Sequence, residues 1–284
     1  MGVVVTDAEV TLADVLSLRL AIAEPLADGA RLVLRRRGAG EERQVTLGAT
    51  GGRTGDASVA VSLAPLDLGP GRWDAYLEQD GVRVRIQSVD PGFSLDRLDA
   101  YALGRRTLAY RAYRTRNGFL ALKIDPAEPV ADVRAVWFRE GRFEVTGLLA
   151  YTGLDDDDQH RHATLALRHS DSGHGARGHG DRGHGDRGHS DPATTVRVAA
   201  TVQGVRFHAA LSLCDVVEAT PDSQGSWEPY LEVDGVDGAL PLGARLDDVE
   251  GKRRRVHYPR TLVDGVPIRP SFTSGDELLL EVGA

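Results

Sequence analysis

The chain repeats itself, and that limits its architecture more than any other feature. Gly71-Arg-Trp-Asp-Ala-Tyr-Leu-Glu-Gln-Asp-Gly-Val82 returns as Gly225-Ser-Trp-Glu-Pro-Tyr-Leu-Glu-Val-Asp-Gly-Val236. Three more blocks recur in the same order: Ala30–Arg35 with Ala163–Arg168, Ala60–Leu63 with Ala210–Leu213, and Phe119–Ile124 with Glu277–Val282. A repeat of this length means a duplicated folding unit, expected over 1–127 and 131–284. Asp125-Pro-Ala-Glu-Pro129 reads as the linker, because its two prolines remove backbone donors and disfavour helix around them. A length of 284 residues suits two domains of ~150 each.

Each unit reads as strands. Val15–Ile22, Arg31–Arg35, Ser58–Leu63 and Trp73–Leu77 alternate in polarity over much of their length, and Val82-Arg-Val-Arg-Ile86 alternates strictly. Asp80-Gly81 and Asp234-Gly235 are hairpin signals at equivalent places, and Asp28-Gly29, Asn117-Gly118 and Asp264-Gly265 mark further turns. Only a short helical turn near Asp67-Leu68 is expected. The fold class is therefore all-β: two tandem Ig-like antiparallel β-sandwich domains. Trp73 and Trp227 share a repeat position and are assigned to the core, with Tyr76 and Tyr230 on the opposite strand face.

Charge and cysteine narrow the function. A net charge of −8 with pI ≈ 5.6 argues against nucleic-acid binding by bulk electrostatics, so any anion site has to be local. Cys214 cannot form an internal disulfide and, in the run Ala210–Cys214, reads as a small buried hydrophobe. No apolar run reaches the ~20 residues of a membrane helix. Met1–Thr6 lacks the features of a secretory leader, so a cytoplasmic protein without membrane insertion is expected. Basic residues are nearly all arginine, with lysine only at Lys123 and Lys252, a skew that fits a high-GC bacterium.

His169, His174, His179, His184 and His189 recur every five residues between Gly-Ala-Arg and Gly-Asp-Arg units. The second unit is about 17 residues longer here than the first, so 170–190 reads as an expanded loop. His174, His179, His184 and His189 are candidate metal ligands of weak, adventitious character, because glycine makes ordering such a site costly. The G-x-G-x-x-G matches in this segment lack the following helix that would give them meaning. Asp155–Asp158 reads as a solvated turn. No G-x-S-x-G, H-E-x-x-H, C-x-x-C or Walker motif occurs, and no cofactor is expected.

Basic residues cluster twice among aromatics: Arg105, Arg106, Arg111 and Arg114 with Tyr110 and Tyr113, then Arg253, Arg254 and Arg255 with His257 and Tyr258. Arginine forks suit phosphate or carboxylate, and tyrosine faces suit sugars. Arg105, Arg106, Arg111, Arg114, Arg253, Arg254, Arg255 and Tyr258 are the candidate binding residues for an anionic polymer or a partner. A charged outer strand face that blocks edge aggregation is the competing reading.

Gly71-Arg-Trp-Asp-Ala-Tyr-Leu77, with Tyr113-Arg-Thr-Arg-Asn-Gly-Phe-Leu-Ala-Leu122, resembles the accessory β-domains of actinobacterial CDP-glycerol glycerophosphotransferase-like and glycosyltransferase-like proteins. In that family the transferase chemistry sits in a separate domain, for which two β-units leave no room. The resemblance implies a non-catalytic accessory or binding protein in cell-envelope glycopolymer synthesis of the teichoic-acid type. Its expected partner is a transferase or the anionic glycopolymer itself. The alternatives are a transferase enzyme, or a carbohydrate- or metal-binding β-sandwich protein. The oligomeric state is left open.

Overall fold

The computed structural model describes residues 2–47, 55–90, 95–170, 194–246 and 251–284. The chain divides into two compact units, Met1–Glu128 and Pro129–Ala284. Both are built from strands, as the alternating sequence pattern implies, and most of the pairings are antiparallel.

In the first unit the strands are β1 (Val3–Val10), β2 (Val15–Ile22), β3 (Arg31–Arg36), β4 (Glu42–Thr46), β5 (Gly55–Ser62), β6 (Gly71–Gln79), β7 (Val82–Arg85), β8 (Gln87–Ser88), β9 (Leu108–Arg114) and β10 (Leu120–Pro126). One sheet has the order β5-β2-β1-β8, and the other β4-β3-β6-β10-β9 with β7 beside β6. Their inner faces share one core. Leu16, Leu18 and Leu20 come from the first sheet, and Leu32, Leu34, Trp73, Leu77 and Leu122 from the second. Asp80 and Gly81 both take positive φ (52° and 74°), the backbone of the tight turn that joins β6 to β7.

The second unit has β11 (Val130–Arg139), β12 (Arg142–Ala150), β13 (His160–Ser170), β14 (Thr195–Gln203), β15 (Arg206–Ser212), β16 (Gly225–Val233), β17 (Leu240–Gly243), β18 (Thr261–Val263), β19 (Val266–Phe272) and β20 (Leu278–Val282). The strand order matches that of the first unit: β15-β12-β11-β17 answers β5-β2-β1-β8, and β14-β13-β16-β20-β19 answers β4-β3-β6-β10-β9. The parallel pair β1–β8 has its counterpart in β11–β17. Trp73 stands opposite Leu122 and Trp227 opposite Leu280, and both indoles are fully buried. A turn also recurs: the Thr115 and Thr273 hydroxyls accept from the N–H of Phe119 and Glu277, at 3.0 and 3.1 Å.

The units differ in closure, and this corrects the expectation of two Ig-like sandwiches. In the second unit β13, β14, β15, β12, β11, β17 and β16 pair in turn, and β16 pairs back onto β13, giving a closed seven-stranded barrel. Among the described residues two links of this ring have no counterpart in the first unit: β17–β16, because β8 pairs with β1 while the separate strand β7 pairs with β6, and β14–β15. In the second unit the β14–β15 pairing reaches Gln203–Arg206, so a loop of only Gly204 and Val205 turns one strand directly onto the next. Between β4 and β5 the chain has eight residues, 47–54, and among the described residues those two strands do not pair.

Helices are short but more numerous than expected: α1 (Leu95–Leu103), α2 (Leu213–Ala219) and α3 (Lys252–Arg255). Ser212 caps α2, its side chain accepting from the Asp215 N–H. That turn ends the strand alternation. Leu213 and Val216 enter the core while Cys214 points outward, so Cys214 is exposed rather than a buried hydrophobe.

Candidate functional site

The eight candidate binding residues separate into three environments. Arg106 belongs to a clasp inside the first unit. Its Nη1 donates to Asp14 Oδ1 at 2.7 Å, its Nε to the Tyr101 carbonyl at 3.0 Å, and its Nη2 to the Leu12 carbonyl at 2.9 Å. The guanidinium lies 3.6 Å from the centre of the Tyr101 ring, whose hydroxyl donates to the same Asp14 oxygen at 2.6 Å. These interactions pin α1 to the turn between β1 and β2, where Asp14 takes φ 56°. Burial, helped by the hydrogen bond to Asp14, raises the Tyr101 phenol well above its ordinary value, against smaller opposing effects of the Tyr110 N–H and Arg106. With its side chain 11% exposed, Arg106 has a structural place.

Arg105, just before β9, and Arg114, at its end, are exposed, and Arg111 on the same strand is half-buried. Tyr113 is half-buried one residue from Arg114. These are side chains of one strand and its approach, open to a ligand from solvent to different degrees.

The third environment is α3. Arg253, Arg254 and Arg255 are all exposed on this single turn, and among the described residues they make no ion pair. Lys252, by contrast, is 4% exposed and fixes the turn to the body of the unit. The carboxylate of Asp276, in the β19–β20 hairpin, accepts from the Lys252 N–H at 2.8 Å and the Gly251 N–H at 3.3 Å. Asp276 sits at φ 60° in the turn that Thr273 braces. Tyr258 follows, its ring 6.2 Å from that of Phe272 on β19. Three cationic side chains thus leave a rigidly anchored turn in one short stretch. Residues 247–250, which carry three carboxylates in the sequence, lie outside the described residues.

The two basic stretches are not structural counterparts. Strand register places Arg111 opposite Lys123 and Arg269 opposite Glu281, each at the same distance from the end of its hairpin. Arg269 is therefore the counterpart of Arg111, while Arg253–Arg255 occupy the connection that α1 fills in the first unit.

His174, His179, His184 and His189 lie outside the described residues. Among the described residues no group of three or more His, Cys, Asp or Glu side chains is arranged to hold a metal ion. The Asp155–Asp158 turn is held by its own ion pairs: Arg206 Nη1 donates to Asp156 Oδ1 at 2.6 Å, and Arg161 Nη1 to Asp157 Oδ1 at 3.3 Å. Sequence reasoning missed Asp14, Tyr101 and Asp276, the residues that fix these surfaces. A helical signal for α1 was present in the i, i+3 spacing of Leu95, Leu98 and Tyr101.

No protein-family profile matches the chain, and no curated protein matches it. Among solved structures, S. aureus TarS aligns over 74% of this chain and 35% of its own, at 13% identity and a TM-score of 0.36. Its 217–571 fragment aligns over 84% of this chain and 61% of its own, at 11% identity and a TM-score of 0.36. The FN1–FN3 domains of chicken CNTN1 align over 84% of this chain and 61% of theirs, at 12% identity and a TM-score of 0.20. This chain thus spans about a third of TarS. Likenesses at these scores do not bear on function. Among the described residues no helix is long and apolar enough to cross a membrane.

Proposed function

We propose that the protein is a cytoplasmic binding protein that engages an anionic glycopolymer of the cell envelope, as an accessory to its synthesis rather than as the enzyme. The motif resemblance of Gly71–Leu77 and Tyr113–Leu122 supplies the envelope context. The observation that carries the binding role is α3, where Arg253, Arg254 and Arg255 are presented together by a turn that Asp276 and the buried Lys252 hold in place. Arg105 and Arg114 add exposed cations in the first unit. On a chain of net charge −8, solubility alone does not call for three adjacent exposed arginines.

The test is binding of fluorescently labelled poly(glycerol phosphate) across a salt series. Exposed-charge binding weakens with salt, because the Debye length falls from ~10 Å at 0.1 M to ~3 Å at 1 M. Replacing Arg253, Arg254 and Arg255 together by Ser is expected to weaken it at least tenfold with melting unchanged. Salt-insensitive binding, wild-type affinity in the triple variant, or turnover of CDP-glycerol or a nucleotide-sugar would refute this reading.

A further inference from the structure

The two units share strand order and register, so the same surface can be compared residue by residue. On the large sheet of the first unit, Trp73, Leu122 and Ala112 face the core, and their strand neighbours face outward. On that outer face Arg72 stands opposite Lys123, and Lys123 opposite Arg111. Arg37, exposed just past the end of β3, donates its N–H to the Arg72 carbonyl at 2.9 Å and extends the row. Arg72, Lys123 and Arg111 on adjacent strands, with Arg37 in the turn that follows β3, therefore form one line of four cations.

Like charges directly opposite across strands destabilise a sheet. The second unit builds the same strands without that cost. Its equivalent row is Ser170, Ser226, Glu281 and Arg269, by the pairings Ser170–Ser226, Ser226–Glu281 and Glu281–Arg269. There Arg269 Nε donates to Glu281 at 2.6 Å and the row carries no net charge. The fold thus needs none of the added positive charge. Local carboxylates are already shared in the first unit: Asp74 serves both Arg72 and Arg85, at 2.9 and 2.8 Å, and Asp125 lies 3.4 Å from Lys123. Side chains of Arg72 and Lys123 keep 27% exposure each, within reach of a ligand.

We infer that the row Arg37–Arg72–Lys123–Arg111 is a binding surface for a linear polyol-phosphate polymer, a phosphodiester chain without bases, lying across the strands. The inference rests on the polymer-binding reading above and extends its footprint to the outer sheet face of the first unit. Strands lie ~4.8 Å apart, so the row spans ~14 Å. That is too long for one phosphate and suits a chain with an anionic group in every repeat. Arginine gives forked donors to phosphate oxygens, and lysine a point charge.

The decisive variant transplants the second unit's own residues: Arg72→Ser with Lys123→Glu. Labelled poly(glycerol phosphate) is titrated into the full chain over a salt series, with polygalacturonate and single-stranded DNA as competing chains. The double variant is expected to bind at least tenfold more weakly. Its log–log salt slope should be shallower by about 1–2, because two cations no longer neutralise phosphates. Its melting temperature should equal or exceed that of the wild type. Arg37→Ser, at an exposed position, should lower affinity several-fold with melting unchanged, which keeps the test valid if the double variant misfolds. Wild-type affinity in Arg37→Ser and the double variant, or tighter binding of polygalacturonate or DNA than of poly(glycerol phosphate), overturns the inference. If the Arg253–Arg255 variant alone loses binding, this row is refuted and the α3 reading stands. If the row variants alone lose it, the α3 reading fails. A wild-type chain that binds no polymer at low salt refutes both.

Discussion

The two buried tryptophans occupy equivalent places but satisfy their indole N–H groups differently, and the difference gives a quantitative test of the core. Trp73 Nε1 donates to the Gly69 carbonyl at 2.9 Å, a backbone acceptor that no side-chain change removes. Trp227 Nε1 donates to the Thr220 hydroxyl at 3.0 Å, which in turn donates to the Val216 carbonyl at 2.6 Å. Trp227 is fully buried and Thr220 is 5% exposed, so water cannot replace the lost partner. Thr220→Val keeps the shape of the side chain and strands the indole N–H, at a cost of about 1–3 kcal/mol. Thr220→Ser keeps the hydroxyl and loses one methyl, worth about 0.8 kcal/mol. For a unit of this size each kcal/mol lowers Tm by ~2–4 °C.

The assay is urea unfolding followed by indole fluorescence in a Trp73→Phe background, so that the signal comes from the second unit. Thr220→Val should lose about 1 kcal/mol more than Thr220→Ser. Adding Trp227→Phe removes the stranded donor, so Thr220→Val should then cost about 1–2 kcal/mol less than in the parent, a coupling that a double-mutant cycle reads directly. Equal losses for Val and Ser, or no coupling to Trp227→Phe, would show that packing and not the hydroxyl holds this indole.

Three further outcomes follow from the clasp, the tyrosines and the α3 anchor. Arg106→Gln should destabilise the first unit by about 1.5–3 kcal/mol, the scale of hydrogen bonds to charged groups, without changing polymer affinity; thermal melting beside binding separates the two. Stability should fall as pH rises from about 10 to about 12. Burial first, then the Glu228 hydrogen bond, raise Tyr230 to about 12, so the unfolded chain loses this proton before the folded one does. Tyr230→Phe should flatten that fall in melting experiments over the same range, and an unchanged slope would refute the assignment. Asp276→Gly relieves the positive φ but removes the acceptor for Gly251 and Lys252, so amide exchange should quicken at 251–255 while global stability changes by less than about 1 kcal/mol.

Much of the strand pattern was legible because blocks of the sequence recur. The Gly71–Val82 and Gly225–Val236 blocks place Trp73 and Trp227 on matching strands, and the observed pairings to Leu122 and Leu280 follow the same alignment. Closure was not legible. It depends on whether β14 turns through Gly204 and Val205 onto β15 and whether β17 pairs with both β11 and β16, and a period-two pattern carries no sign of which strand a neighbour will be. Cys214 shows the same limit on a smaller scale. An apolar run reads alike in strand and helix, and only the Ser212 cap determines that the chain turns there.

The candidate basic residues stood out in composition, and the structure distributes them among different environments. Clustered arginines drew attention to 105–116 and 252–260, yet proximity in sequence joined residues with different tasks: Arg106 folds inward onto Asp14, while Arg111 faces outward beside Lys123. The four-cation row is spread over Arg37, Arg72, Arg111 and Lys123, at separations no motif search would connect. Only strand pairing, with the turn after β3, brings them into one line. The repeat then supplies its own control, because Ser170, Ser226 and Glu281 show the same scaffold with the charge removed. Two units that keep the same strand order and differ in charge along one outer row separate what folding needs from what the proposed polymer would meet.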